Sequence, residues 1–132
     1  MVEEKYCSFE IAKLLKEKKF DIPSLRWYDK DGNVVAKLTT PKTPLDYFKD
    51  EYYYLCPTHQ MAMAWLREKH NIHIEIEAYP HEDGCFYWHY RIMEMVKYKD
   101  MFGYFKRDQK AGFDSYEDAV EAGIKQYIKT QL

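Results

Sequence analysis

The side chains whose types could support chemistry alternate along two strand-like segments in the middle of the chain. The segments run from Ile72 to Tyr79 and from Cys85 to Met93, and together they form the Ile72–Met93 hairpin. Its polar side chains are His73, Glu75, Glu77, Tyr87, His89 and Arg91. Because alternate side chains of a strand point to the same face, these six residues share one face of the predicted hairpin.

Two interpretations of this polar face stay open. If Tyr79 pairs with Cys85, Glu75 faces His89, and a histidine beside a glutamate is a unit of general acid–base catalysis and of metal binding. The same residues can be ordinary cross-strand pairs, each stabilising the sheet by roughly a few tenths of a kcal/mol. Neither a nucleophile nor a glycine-rich phosphate loop stands beside them. We therefore assign no catalytic residue, metal or cofactor, and a small enzyme using this face remains an alternative.

Apolar side chains fill the positions between the polar ones, which predicts an antiparallel sheet with one face on a core. Three helices with apolar stripes supply that core. The first runs from Ser8 to about Lys19, the second from Thr58 to about His70, and the third follows a cap at Asp114 or Ser115. Serine and threonine at these starts accept hydrogen bonds from free backbone N–H groups of the first turn.

A second hairpin is predicted near the start of the chain, because Asp31-Gly32 separates two strand-like runs. The segment from Glu94 to Gly112 is predicted as a loop with a short fifth strand near Gly103–Lys106. The sequence thus predicts one α+β domain over residues 1–132. It has an antiparallel sheet of four to five strands and three helices, in the order helix–hairpin–helix–hairpin–helix.

Composition limits the classes of function. The 20 Lys and Arg residues against 22 Asp and Glu residues give a net charge of -2, so no global field draws the protein to nucleic acid or an acidic membrane. The apolar runs are too short for a membrane-spanning helix. Three cysteines, Cys7, Cys56 and Cys85, are too few for a disulfide framework, and we expect a cytoplasmic protein with core cysteines.

Aromatic residues gather in two irregular segments and predict a surface for binding another protein. They are Tyr52, Tyr53, Tyr54, Phe102, Tyr104 and Phe105. Tyrosine is enriched at the energetic centres of interfaces, and a core alone would not need so many rings in irregular segments. The leading hypothesis is a non-catalytic protein that acts by protein–protein interaction, with either an unidentified protein or a second copy of this chain.

A basic and aromatic segment, Lys97–Lys110, supports a different hypothesis. Its cations are Lys97, Lys99, Lys106, Arg107 and Lys110. Single-stranded nucleic acids bind to such mixtures, because bases stack on rings while cations meet phosphates. The alternative function is therefore a single-stranded nucleic-acid-binding protein. The same pattern also arises when aromatic residues anchor a loop to the core.

Three stretches resemble a known group of sequences. They begin at Phe9, Pro57 and Phe113 and read FEIAKLLKE, PTHQMAMAWLRE and FDSYEDA. Together they resemble a family of small uncharacterised proteins of gut-bacterial phages and prophages. The matching residues are helix starts and apolar faces, so no catalytic residue can be carried over. The resemblance implies a phage-linked, intracellular accessory protein.

Overall fold

The computed structural model describes residues 5–36, 53–98 and 101–131 of the 132-residue chain. The chain divides between Ala62 and Met63 into two compact units, which are described separately below. The described residues form three helices, α1 (Phe9–Glu17), α2 (His59–His70) and α3 (Tyr116–Gln131). They also form six strands, β1 (Arg26–Tyr28), β2 (Val34–Ala36), β3 (Tyr54–Leu55), β4 (Ile72–Pro80), β5 (Phe86–Tyr98) and β6 (Met101–Phe113). None of these helices has the length and apolar character to cross a membrane.

The predicted helix starts are confirmed by their caps. The Ser8 hydroxyl accepts from the Ile11 N–H at 3.3 Å, and Thr58 accepts from the N–H three residues on at 3.1 Å. Ser115 caps α3 in the same way, at 3.0 Å. The second helix ends near His70 as predicted, and the next residue, Asn71, is left-handed with φ +56°. Short polar side chains therefore set these boundaries locally.

The first unit contains an antiparallel sheet in the order β2-β1-β3. Trp27 pairs with Val35 on one side and with Leu55 on the other. The predicted turn is confirmed, with Gly32 at φ +83°. A side chain there would be strained, and its Cβ would lie only 2.8 Å from the Phe9 ring. The turn and α1 therefore fit closely against each other.

The second unit contains an antiparallel sheet in the order β4-β5-β6, with α3 packed on one face. Ile74 pairs with Ile92, and Ile76 pairs with Tyr90. Gly123 lets α3 approach this face closely, since a Cβ there would lie 3.0 Å from Ile74 and 3.2 Å from Tyr90. The apolar face named from sequence alternation is thus the face that α3 covers.

The α+β class, the three helices and the antiparallel pairing are confirmed for the described residues, but the single sheet of four to five strands is wrong. The described strands form two three-stranded sheets. The helix–hairpin–helix–hairpin–helix order is also incomplete, because β3 precedes α2 and β6 follows the second hairpin. A two-residue strand such as β3 is too short to show a period of two in the sequence.

The loop predicted from Glu94 to Gly112 is a pair of long strands instead. β5 continues to Tyr98, and β6 pairs with it from Met101 to Phe113. Two register shifts interrupt this pairing, one between Trp88 and Tyr90 and one between Ile92 and Met93. Each shift places an extra residue in β6 and exchanges its faces, so the sequence shows no clean alternation there.

The predicted register of the central hairpin is wrong by two residues. Tyr79 pairs with Tyr87, not with Cys85. The pairing continues one residue further along β4 than predicted, and the His81 N–H donates to the Cys85 carbonyl at 2.9 Å. An Asp83 carboxylate oxygen accepts from the Cys85 N–H at 2.9 Å and stabilises the turn in this position. Because a shift of two residues preserves the faces of a strand, the predicted polar and apolar faces stay as they were.

Candidate functional site

The polar face of the second unit is formed by Glu75, Glu77 and Tyr79 of β4 and by His89 and Arg91 of β5. The observed register places Glu75 opposite Arg91 and Glu77 opposite His89. These cross-strand partners lie on the sheet face opposite the Ile74, Ile92 and Tyr90 side chains that α3 covers. The backbone pairing of β4 with β5, and the packing of α3 on the opposite face of the sheet, therefore hold the five side chains in place.

One arginine joins the two glutamates. The Arg91 Nη2 lies 3.0 Å from Glu75 Oε1 and 2.9 Å from Glu77 Oε2. The Tyr79 hydroxyl also donates to Glu77. The His89 Nε2 lies 3.8 Å from the same Glu77 oxygen, too far for a hydrogen bond, and its ring packs edge-on against Tyr79. Glu77 is therefore the common acceptor of the polar face.

These contacts change the acidity of Glu77. The interaction with the neighbouring Glu75 carboxyl group and the hydrogen bond from the Tyr79 hydroxyl lower the pKa of Glu77 to about 2, and the charges of Arg91 and His89 act in the same direction. The hydrogen bond to Glu77 in turn raises the pKa of Tyr79. A general base works best with a pKa near the operating pH, so Glu77 is a weak base at neutral pH.

The enzyme alternative would need His73, Glu75, Glu77 and His89 to converge, and the structure brings them together only in part. His73 lies opposite Met93, beyond the Glu75–Arg91 pair. In the polar face and the adjoining turn, the described residues bring no three metal-ligating atoms within 4.8 Å of one another. The arrangement supports ion pairing and hydrogen bonding across two strands more directly than it supports proton transfer to a substrate.

The turn between β4 and β5 carries aromatic side chains held by hydrogen bonds. Asp83 accepts from the Tyr87 hydroxyl at 2.6 Å, and this bond raises the pKa of Tyr87 to about 12. The His81 ring packs on Tyr87 at 4.6 Å between centroids. Phe86 is 66% exposed and Tyr79 is 41% exposed. We call Tyr79, His81, Phe86 and Tyr87 the hairpin end. Sequence analysis assigned no contact role to it, because Phe86 follows the alternation of buried positions.

The predicted contact residues lie elsewhere. Tyr53 and Tyr54 are half-buried, with ring contacts to Trp27 at 6.2 Å and to Phe9 at 5.4 Å, and Tyr52 lies outside the described residues. The backbones of Phe102, Tyr104 and Phe105 belong to β6, but their side chains lie outside the described part of the structure. Their role in protein binding stays a prediction.

The predicted nucleic-acid residues lie on the β5–β6 pair rather than in a loop. Lys97 belongs to β5, and Lys106, Arg107 and Lys110 belong to β6. Lys99 and the side chains of the first three lie outside the described part. Lys110 is exposed, and its Nζ lies 6.0 Å from the centroid of the Phe113 ring. The nucleic-acid alternative at this segment stays a prediction.

Buried cysteines occupy the first unit. Tyr28 donates to the Cys7 carbonyl at 2.6 Å, and the Cys56 thiol lies 3.6 Å from the same oxygen. Burial, followed by the hydrogen bond with Cys56, raises the pKa of Tyr28. Cys7 and Cys56 are fully buried, whereas Cys85 is exposed in the β4–β5 turn. For the two buried thiols, this agrees with the interpretation as core cysteines.

A pair of cations on α1 was not predicted from the sequence. Lys13 and Lys16 stand over aromatic rings of the first unit, although the helix pattern indicated only a solvated face. Their ring partners are Phe9 and Tyr54, and the latter contact joins residues far apart in the chain. Only the fold brings that second pair together.

Comparisons with known proteins give no further guide to these sites. No protein-family model matches the sequence, and neither a curated protein nor a solved structure matches it.

Proposed function

We propose that this protein is a non-catalytic accessory protein that acts by protein–protein interaction through the hairpin end and the adjoining polar face. The observation that carries the proposal is the exposure of Phe86 and Tyr79 at the end of a long and regularly paired hairpin. Phe86 pairs with Pro80 and Tyr79 pairs with Tyr87, so the two rings lie on opposite faces and a partner would enclose the end of the hairpin. Aromatic side chains presented on a rigid element are typical anchors of protein interfaces. A fixed hairpin also loses little conformational entropy when it binds.

The electrostatics of the polar face support binding over catalysis. Glu75 and Glu77 share one cation, Arg91, so each carboxylate is paired and one negative charge is left for a partner to meet. The low pKa of Glu77 keeps it ionised at neutral pH, which suits a fixed ion pair more than proton transfer. The hydroxyl oxygens of Tyr79 and Tyr87, whose protons are donated to Glu77 and Asp83, add hydrogen-bond acceptors at the margin of such a contact.

Two further parts of the proposal depend on the sequence. The resemblance to phage and prophage proteins supports a phage-linked accessory role. The cysteine usage supports a cytoplasmic place of action. The tyrosines at 52–54 and the aromatic residues of β6 are proposed as additional contacts, either with another protein or with a second copy of this chain.

Site-directed photo-crosslinking tests the proposed surface. A photoreactive benzoylphenylalanine is placed at Phe86 and, as a control, at the exposed Thr130 of α3. In native cells we expect a discrete adduct at the first position and none at the second, and sedimentation velocity of the purified protein will show whether the partner is a second copy. Equal labelling at both positions, or none at Phe86, would contradict the proposal.

A matched pair of substitutions then measures the contribution of the exposed ring. Phe86→Ser should weaken the captured interaction by about tenfold or more, since truncating an aromatic anchor costs over ~1 kcal/mol. Val34→Ser removes a side chain that is 47% exposed in the first unit and should leave binding unchanged. Both variants should fold normally, because exposed substitutions change stability by about 0.5 kcal/mol or less.

A further inference from the structure

An open depression in the first unit lies where α1 meets β3. It has a volume of about 300 Å³, and the described residues that line it are Lys13, Lys16, Glu17 and Tyr54. This volume stands at the lower end of the roughly 300–1,000 Å³ common for small-molecule sites. The depression is separate from the hairpin end and does not depend on the function proposed above.

Both ammonium groups of this depression are held in place. The Lys16 Nζ donates to the Tyr53 carbonyl at 2.7 Å and lies 4.8 Å from the centroid of the Tyr54 ring. The Lys13 Nζ lies 4.7 Å from the centroid of the Phe9 ring. Lys13 and Lys16 stand three residues apart, so they project from the same side of α1. Two oriented cations against one carboxylate make the lining positive.

The aromatic wall is fixed as well. Tyr54 packs edge-on against Phe9, with ring centroids 5.4 Å apart and planes 78° apart. Phe9 also contacts Tyr28, which is buried in the core. Tyr54 itself is only partly buried, so part of its ring borders the depression. A partly exposed ring next to a lysine ammonium group is a stacking surface beside an anion site.

We infer that this depression binds a nucleoside 5′-phosphate, either as a free nucleotide or as one residue of a single-stranded nucleic acid. The base stacks on the exposed part of Tyr54, as bases do on aromatic side chains. The phosphate meets Lys13, whose charge is exposed, with Lys16 next to it. Glu17 accepts a hydrogen bond from a sugar hydroxyl or an exocyclic amine.

The base and the phosphate of the ligand contact different parts of the lining. Nucleotide binding can therefore be distinguished from nonspecific attraction of anions to the lysines. Inorganic phosphate contacts the cations and leaves the ring bare. Adenosine stacks on the ring and leaves the cations without an anion. Adenosine 5′-phosphate satisfies both, so its affinity should exceed that of either fragment by about tenfold or more, equivalent to ~1.4 kcal/mol.

Calorimetric titration of the full-length protein tests the inference with four probes. They are adenosine 5′-phosphate, adenosine, inorganic phosphate and an oligoadenylate of about ten residues, the last within the range of roughly 4–16 nucleotides of single-strand sites. Tighter binding of the oligomer, with a salt dependence steeper than that of the mononucleotide, assigns the ligand to a single strand. Equal affinity for the two assigns it to a free nucleotide.

Charge reversal provides the decisive control. Lys13→Glu should weaken binding of the nucleotide by at least about tenfold, because it places a carboxylate where the phosphate binds. Lys30→Glu makes the same charge change in the Asp29–Asn33 turn of the same unit and should change the affinity by less than about twofold, because the exposed Lys30 does not line the depression and solvent and salt screen its charge. Circular dichroism confirms that both variants are folded.

Aromatic variants separate stacking from structural support. Tyr54→Phe keeps a ring and should retain binding, whereas Tyr54→Leu should weaken it by about tenfold, in line with ~1–3 kcal/mol for stacking on one ring. The inference is overturned if no nucleotide or oligomer binds at about 1 mM and low salt. It is also overturned if Lys13→Glu and Lys30→Glu weaken binding equally, or if phosphate alone binds as tightly as the nucleotide.

Discussion

The two sheets hold their strands by different means. The strands of the first unit are three, three and two residues long, whereas those of the second are nine, thirteen and thirteen. A ladder of two or three pairs stabilises little, and the first sheet depends on side chains that bind backbone groups far along the chain. The second depends on an extended ladder and on a helix packed closely over one face.

Specific bonds illustrate the difference. In the first unit the Ser24 hydroxyl lies 2.6 Å from the Arg26 carbonyl and 3.3 Å from the Cys56 carbonyl, and Lys16 reaches the carbonyl of Tyr53. In the second unit Ile74 and Tyr90 face Gly123 directly. The short strands of the first unit are thus stabilised by individual side-chain hydrogen bonds to backbone carbonyls. The long strands of the second unit are stabilised by close packing of their apolar face against a helix. The two units should therefore respond differently to the same kind of substitution.

The largest effect is expected from removing apolar volume in the second sheet. Ile92 is fully buried opposite Ile74, and Ile92→Ala should lower the free energy of unfolding by about 2–5 kcal/mol in urea denaturation. Ile92→Val, which removes one methylene, should cost about 0.5–1.5 kcal/mol. If both variants lost the same small amount, the closely packed face would not be what stabilises this sheet.

The next effect concerns the approach of α3 to the sheet. Gly123→Val should lower the free energy of unfolding by about 1–3 kcal/mol, because the added methyl groups overpack the contact with Ile74 and Tyr90. Thr130→Val on the exposed part of the same helix should change it by about 0.5 kcal/mol or less. A neutral or stabilising result for Gly123→Val would show that the helix can shift freely over the sheet.

A smaller loss of stability should follow from removing the side-chain hydrogen bonds of one residue in the first unit. Ser24→Ala removes an acceptor for the Arg26 N–H and a donor to nearby carbonyls, and should lower the free energy of unfolding by about 0.5–1.5 kcal/mol. Ser24→Thr keeps the hydroxyl and should retain most of the stability. Equal losses for both would indicate that packing at Ser24, rather than its hydrogen bonds, stabilises β1.

The smallest effect concerns the acidity of the polar face. Because the folded-state pKa of Glu77 lies near 2, below its ordinary value of 4.5, its contribution to stability is complete above about pH 4.5 and is lost as the pH falls towards 2. Arg91→Met removes one cause of that shift, so the pKa of Glu77 should rise and the acid-dependent loss should shrink. Carbon-13 NMR titration of the Glu77 carboxyl group in both proteins measures the change directly. An unchanged titration would mean that Arg91 does not contribute.

Local signals explain what could be predicted from the sequence. Ser8, Thr58 and Ser115 cap their helices as expected, and Gly32 closes the predicted turn. In each case the residue acts on backbone groups within a few positions of itself. The alternation from Ile72 to Met93 likewise identified the correct faces, since a period of two follows from the geometry of a strand.

Nonlocal and side-chain effects explain what was missed. The turn lies one residue later in the chain than predicted, where Asp83 accepts from the Cys85 N–H, and the register therefore differs by two residues, which alternation cannot reveal. The register shifts along β6 hide a thirteen-residue strand. The contacts of Arg91 with both glutamates follow from that corrected register. The Lys16 cation meets Tyr53 and Tyr54 only because the fold brings distant segments together.

Because Cys85 is exposed while Cys7 and Cys56 are buried, the rate at which the thiols react can report local unfolding of the first unit. A maleimide added to the native protein should label Cys85 at once and leave the buried Cys7 and Cys56 unreacted. The slower labelling of those two thiols, followed by mass spectrometry, would measure how often the first unit opens under native conditions. Because no residue needs to be changed, the same count of labelled thiols can be read in every variant described above.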